Sequence, residues 1–295
     1  MRTLKIGYVP STLFAPLFVA IDRGYLAAEG FDVTASPIVA GQDSVTLLSL
    51  GTLDVAAGGL SAAFYNAVSR GLEVRYVASL AYQPKHQPAS VLMVRNDLLA
   101  SGEVRKPADL RGRSIAWIGG LGATSTYYVE RILETGKLSV RDVRIVNLTL
   151  ADSAAALANK AIDAVFTSSP YTEEFVEKKL ADVLAPSPPG ISATGLFFGA
   201  TLLRDRTAGA AVVRAVRKAA AEIAGAGYTK PQTLATLAKF ANMPAELVGR
   251  AARYDIDPRS RVDTKTLLDM QTLFLNLRVL AYATPLRASA MVEAY

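Results

Sequence analysis

The 295-residue chain contains no cysteine. That excludes disulfide frameworks, thiolate metal sites and cysteine nucleophiles together. Its single histidine, His86, excludes histidine-rich metal centres. His86 lies in the proline-rich stretch YQPKHQPAS, Tyr82–Ser90, and reads as a surface residue of a connecting segment, not as a catalytic base. Long unbroken apolar runs are also scarce. Val183–Leu203 carries no charge and has the length to span a bilayer, but Pro186, Pro188, Pro189 and Gly190 would break the helix. Leu13–Ile21 has the apolarity of an export signal. Pro10 and Pro16 interrupt it, and Asp22-Arg23 follow with no small-residue cleavage site. The chain is therefore read either as cytoplasmic or as starting at its mature end.

Dense charge of one sign is missing too. The net charge is +6, from 32 Lys+Arg against 26 Asp+Glu, and the basic residues spread through stretches such as Arg204–Arg217 and Arg250–Arg261. This predicts a solvated basic surface and no nucleic-acid partner, with a mild field that favours the arrival of anions. Nucleotide and hydrolase signatures fail in turn. GGLGATS places Ser125 where a dinucleotide fingerprint needs its third glycine, and the next strand ends in Val146-Asn147-Leu148 without a ribose-binding acid. Neither a glycine-lysine-hydroxyl run nor a G-x-S-x-G elbow occurs. No cofactor and no metal are expected.

What is present is alternation of strand and helix signals over the first 200 residues, the pattern of an α/β fold with mostly parallel sheets. Strands are predicted at Leu4–Val9, Phe31–Ala35, Leu53–Ala57, Glu73–Leu80, Ser114–Ile118, Val143–Leu148, Ile162–Thr167 and Ile191–Ala200. Helices are predicted at Ala15–Ala28, Gln42–Leu50, Ser61–Ser69, Ser125–Glu134 and Ala151–Lys160, and the chain beyond about Arg204 reads as a helical tail. Sliding SLGTLDVAAGGLSAAFY onto ANKAIDAVFTSSPYTEE sets Asp54 over Asp163 at an offset of 109. Two similar lobes follow from this repetition. Residues 1–83 and 193–295 form the first, residues 84–192 the second, with two crossings at Tyr82–Ser90 and Ala185–Ser192 and a ligand cleft between the lobes.

Ligands of open parallel sheets gather beyond the carboxyl ends of strands, where helix N-termini present unpaired N–H groups. Five such ends stand out: Ser11–Phe14, Gly58–Ser61, Ser79–Tyr82, Gly119–Thr126 and Thr167–Tyr171. They are rich in Ser, Thr and Gly and nearly free of charge. Ser and Thr also begin helices for stability alone, and that reading stays open at each loop.

The stretches GYVPSTLFAPLFVAIDRGYLAAEGFDV, LLSLGTLDVAAGGLSAAF and KPADLRGRSIAW resemble the substrate-binding proteins of ABC importers, in the branch for nitrate, sulfonates, taurine and thiamine-pyrimidine precursors. The resemblance runs from Leu4 to about Leu203. It implies a type II periplasmic-binding-protein fold, a small-molecule ligand, closure of two lobes on it, a permease in the inner membrane as partner, a monomer, and a periplasmic or membrane-anchored location. On that reading Ser11, Thr12, Ser61, Thr124, Ser125 and Ser169 donate hydrogen bonds, Phe14, Tyr82 and Tyr171 supply apolar walls, and Gly59 allows close backbone approach. Where sulfonate binders carry Trp-Asp-Pro-Tyr, this chain has Ser168-Ser169-Pro170-Tyr171, and Leu60 replaces an acid after Gly59. The expected solute is an anion of the alkylsulfonate or nitrate class, or a neutral molecule. A pyrimidine or other heteroaromatic, or an aromatic acid, is the alternative. An enzyme of the menaquinone-pathway type on the same fold is the rival from another class. The effector lobe of a transcription regulator is a third, lacking here a helix-turn-helix ahead of the first strand.

Overall fold

The computed structural model describes residues 1–39 and 41–295, without the side chain of Gln42. Among the described residues the strands are β1 (Arg2–Tyr8), β2 (Phe31–Pro37), β3 (Val55–Gly59), β4 (Arg75–Ser79), β5 (Ser90–Arg95), β6 (Ser114–Trp117), β7 (Arg144–Asn147), β8 (Ala164–Ser168), β9 (Ala181–Pro186) and β10 (Thr194–Phe198). The helices are α1 (Ala15–Asp22), α2 (Tyr25–Ala28), α3 (Gly41–Ser49), α4 (Ala62–Ser69), α5 (Asn96–Ser101), α6 (Thr124–Glu134), α7 (Leu150–Ala158) and α8 (Tyr171–Glu177). After β10 come α9 (Ala200–Arg204), α10 (Arg206–Ile223), α11 (Pro231–Ala241), α12 (Ala245–Arg250), α13 (Thr264–Asn276) and α14 (Ala288–Met291).

Most of these elements sit where the apolar periodicity predicts them. The expected helix over Ala15–Ala28 is broken in two because Gly24 takes φ +69°, a left-handed value that ends α1 and starts α2. Two strands, β5 and β9, lie outside the predicted set. All six residues of β5 are buried, and such a run carries no alternation to mark it as a strand. Among the described residues no helix is long and apolar enough to cross a membrane.

The chain divides into two compact units. One comprises Met1–Tyr82, Ile191–Gly249 and Asp255–Tyr295, and the other Gln83–Gly190 with Arg250–Tyr254. Besides the two predicted connections, the helical tail thus makes a brief excursion of its own through Arg250–Tyr254. Tyr82 and Asp255 hydrogen-bond reciprocally through their backbones, at 2.9 and 3.0 Å, beside that departure point.

Each unit is built on a five-stranded sheet, in the order β2-β1-β3-β10-β4 in the first and β7-β6-β8-β5-β9 in the second. In both sheets four strands run one way and one is reversed. The reversed strand is β10 in the first, antiparallel to β3 and β4, and β5 in the second, antiparallel to β8 and β9. The internal repeat explains this. Counted along the chain, β1–β5 and β6–β10 are successive sets of five, and each set has its fifth strand in the other set's sheet. The repetition extends to single hydrogen bonds. Asp54 accepts the Lys5 N–H at 2.9 Å, and Asp163 accepts the Ser114 N–H at 2.8 Å. Both members of the first pair are shifted by 109 residues in the second. The main-chain carbonyls of the same two aspartates accept N–H groups of the exchanged strands' far ends, Gly199 at 3.0 Å and Arg95 at 3.1 Å.

The core of the first unit packs Leu4 and Ile6 of β1 and Phe18 and Val19 of α1 with Val212 and Val216 of α10. Phe18 stacks on Phe240 of α11 at 4.8 Å. That of the second packs Met93, Ala116 and Val165 with Phe175 of α8. Burial of each large apolar side chain contributes about 1.5–3 kcal/mol, which fixes the helices on the sheets and so places the strand-end loops.

Candidate functional site

In the first unit the ends of β1 and β3 and the start of the reversed strand β10 fall on the same edge of one sheet. After β1 the chain enters a single 3-10 turn, Thr12–Phe14, and Ser11 accepts the Leu13 N–H at 3.4 Å. Thr12 is 1% exposed, and among the described residues its Oγ1 has no hydrogen-bond partner. Ser61 precedes α4 with extended backbone in the N-cap position, yet its side chain caps nothing and its buried Oγ is also without a partner among the described residues. Thr194 lies opposite Gly59 across the β3–β10 pair, and its buried Oγ1 is in the same state. Three hydroxyls, each desolvated and unpaired, therefore share one sheet edge. Such groups are destabilising unless something bonds to them.

The close approach expected at Gly59 is made by the protein itself. A Cβ on Gly41 would stand 2.8 Å from the Gly59 nitrogen, so the glycine lets the first turn of α3 rest on the end of β3. Phe14 is 2% exposed and packs within the core near Phe18. Tyr82 donates its hydroxyl to the Arg261 carbonyl at 2.8 Å, leaving only a half-buried ring. Burial raises the Tyr82 pKa, against a lowering hydrogen bond from Ser79, and the phenol stays protonated at neutral pH.

In the second unit, β6 runs into a glycine turn with Gly119 at φ +87° and Gly120 at φ +62°. Asn147 at the end of β7 accepts the Gly119 N–H at 2.8 Å, so the position that would hold an acid in a dinucleotide site tethers the turn. The Trp117 indole and the Thr126 hydroxyl both donate to the Gly120 carbonyl at 3.0 Å. Thr124 and Ser125 then open α6, half-buried, behind Ala123, which has no capping side chain.

At the end of β8, Thr167 and, in the first turn of α8, Thr172 are buried with hydroxyls that have no partner among the described residues. Tyr171 is half-buried beside them in sequence, and burial first, then the Glu174 carboxylate, raises its pKa. Ser169 departs from expectation. Its Oγ donates to Glu173 Oε1 at 2.7 Å, four residues on, so the hydroxyl is committed within its own unit. The same Oε1 accepts the Ala252 N–H at 3.0 Å, while Glu173 Oε2 is buried without a partner among the described residues. A carboxylate thus stands in the first turn of α8, just beyond the uncharged loop Thr167–Tyr171. Thr167 was singled out only as part of that loop, and Thr172, Thr194 and Glu173 not at all. Ser169-x-x-x-Glu173, the spacing of neighbours on one helix face, was the available signal for the last.

The fold is that of the periplasmic binding proteins. The alkanesulfonate-binding protein SsuA of Xanthomonas axonopodis pv. citri, solved with MOPS bound, superposes with TM-score 0.79 at 21% identity, covering 100% of this chain and 99% of that one. The periplasmic nitrate-binding protein NrtA of Synechocystis gives TM-score 0.75 at 16% identity, over 96% of this chain and 83% of that one. A family model described as "NMT1/THI5 like" matches residues 11–226, and the chain belongs to that family. Among curated proteins it is similar to the riboflavin-binding protein RibY of Chloroflexus aurantiacus, 31% identical over 163 residues. That match takes in 54% of this chain and spans 43% of the length of its relative.

Proposed function

We propose that the chain is the solute-binding component of an ABC importer, working outside the cytoplasm as a monomer without catalysis and delivering a small organic solute to a membrane permease. The observation that carries this reading is the set of desolvated hydroxyls, without partners among the described residues, at the carboxyl-end edges of both sheets: Thr12, Ser61 and Thr194 in one unit, Thr167 and Thr172 in the other. A protein that holds a polar solute reversibly needs such groups, because they gain a hydrogen bond only when the solute is present. Ser11, Gly59 and the Tyr82 ring lie in these loops of the first unit, Thr124, Ser125 and the Tyr171 ring in those of the second, and each is part of the proposal. Membership in the NMT1/THI5-like family and the binding-protein fold support the assignment.

Native mass spectrometry of the protein as purified tests it, followed by a thermal-shift screen of ethanesulfonate, nitrate, taurine, a pyrimidine, an aromatic acid and riboflavin. A bound small molecule, or a rise in Tm with one class of probe, is the expected result. Turnover of a probe without stable binding would favour the enzyme reading.

A further inference from the structure

Glu173 narrows the class of solute, an inference that rests on the solute-receptor reading. Its carboxylate is placed asymmetrically. Oε1 accepts both the Ser169 hydroxyl and the Ala252 N–H, at 2.7 and 3.0 Å. Oε2 is buried and, among the described residues, accepts nothing. A carboxylate oxygen removed from water with no donor is among the more unfavourable features a fold can keep. The two donors on Oε1 hold the side chain by its other oxygen, so Oε2 has a fixed position from which to accept. Thr167 ahead of it on β8 and Thr172 beside it on α8 carry buried hydroxyls that are also unpaired among the described residues and can each donate or accept.

We infer that Glu173 Oε2 receives an N–H of the solute and that the solute is an amide, imide or amino heterocycle. A hydroxyl donating to a carbonyl beside that N–H would complete the match, and Thr167 and Thr172 offer two. A sulfonate or nitrate presents only acceptors and would set like charge against the carboxylate, whereas a ring N–H satisfies it without introducing a second charge. The same position admits an ammonium.

The substitution E173Q tests this by inverting polarity at one atom. The Ala252 N–H can only donate, so the glutamine oxygen must stay at the Oε1 position and the NH2 group takes the place of Oε2. Calorimetry would compare riboflavin with its N-methylated imide, uracil with its dimethyl analogue, and ethanesulfonate, on wild type and E173Q. In wild type the N–H member of a pair should bind roughly 10- to 100-fold more tightly, the range for a hydrogen bond to a charged group. In E173Q that ratio should fall towards one, and ethanesulfonate should bind more tightly than it does to wild type. A ratio unchanged by E173Q, with a fall in Tm of the ligand-free protein, would make Glu173 a structural anchor and overturn the inference. Tightest binding of ethanesulfonate by wild type would overturn it as well. Failure of wild type to bind any of these probes also removes the N–H-donor class, while native mass spectrometry decides the receptor reading separately.

Discussion

Replacing Ser61 by alanine separates two roles of one hydroxyl by the sign of its effect. Ser61 occupies the N-cap position of α4, where loss of a serine ordinarily costs about 0.5–2 kcal/mol because an N–H of the first turn loses its partner. Here no such bond exists, and Oγ is buried without a partner among the described residues. Removing it relieves a desolvated polar atom and leaves a void of one oxygen, so ligand-free Ser61→Ala should be more stable by roughly 1 kcal/mol, at the low end of the penalty for an unsatisfied group. For a chain of this size that is a Tm increase of about 2–4 °C. Solute binding should weaken by about 0.5–1.5 kcal/mol, the net worth of one neutral hydrogen bond. Thr149→Ala supplies the control, since Thr149 does cap α7, accepting the Asp152 N–H at 3.1 Å. It should lower Tm and leave affinity alone. Circular-dichroism melts of protein stripped of ligand by unfolding and refolding give the stabilities, and calorimetry gives the affinities. If Ser61→Ala melts earlier than wild type, as Thr149→Ala should, the hydroxyl is a cap and the reasoning from unpaired groups fails.

Other expectations follow from the same geometry. Thr124→Ala or Ser125→Ala should weaken solute binding by roughly 0.5–3 kcal/mol while changing urea stability less, and affinity equal to wild type in both would leave them only a role in starting α6. Asp163 accepts both the N–H and the hydroxyl of Ser114, whereas Asp54 takes the N–H of Lys5, so Asp163→Ala should lose about 2–3 kcal/mol and Asp54→Ala about 1 in urea denaturation. Arg95 first and Lys160 second hold the Asp97 carboxyl well below its ordinary value. A depressed folded-state pKa stabilises above the unfolded value and that contribution disappears as pH falls through the folded one, so the loss begins below about pH 4. Asp97→Asn should flatten the acid limb of a stability–pH curve there and leave its slope near neutrality unchanged.

The sequence was most legible where chemistry repeats. The 109-residue offset, read by sliding SLGTLDVAAGGLSAAFY onto ANKAIDAVFTSSPYTEE, reappears in the bonds Asp54 and Asp163 make, because a short side chain just before a buried strand has few places to send its oxygens. Direction was not legible: nothing local in Ser90–Arg95 or Thr194–Phe198 says that each strand is reversed, since strand partners are chosen by contacts distant in sequence. The strand-end loops could be located, but not the state of their atoms. Ser61 and Ser169 look alike in the sequence. One hydroxyl is unpaired and the other is committed to Glu173, and only the path of α8 distinguishes them.

The exchanged fifth strands also set an order of assembly on the ribosome. In the first sheet, among the described residues, the strand beside β4 is β10, which is not synthesised until Thr194–Phe198. Residues 80–193, 114 in all, separate the two, and through that interval the N-terminal unit has a three-stranded sheet and a waiting fourth strand. The second sheet draws all its strands from one continuous stretch, β5 to β9, ending at Pro186. The half of the protein encoded second is therefore the first whose sheet can close, and the half that leaves the ribosome first must stay open until its neighbour's chain has been made.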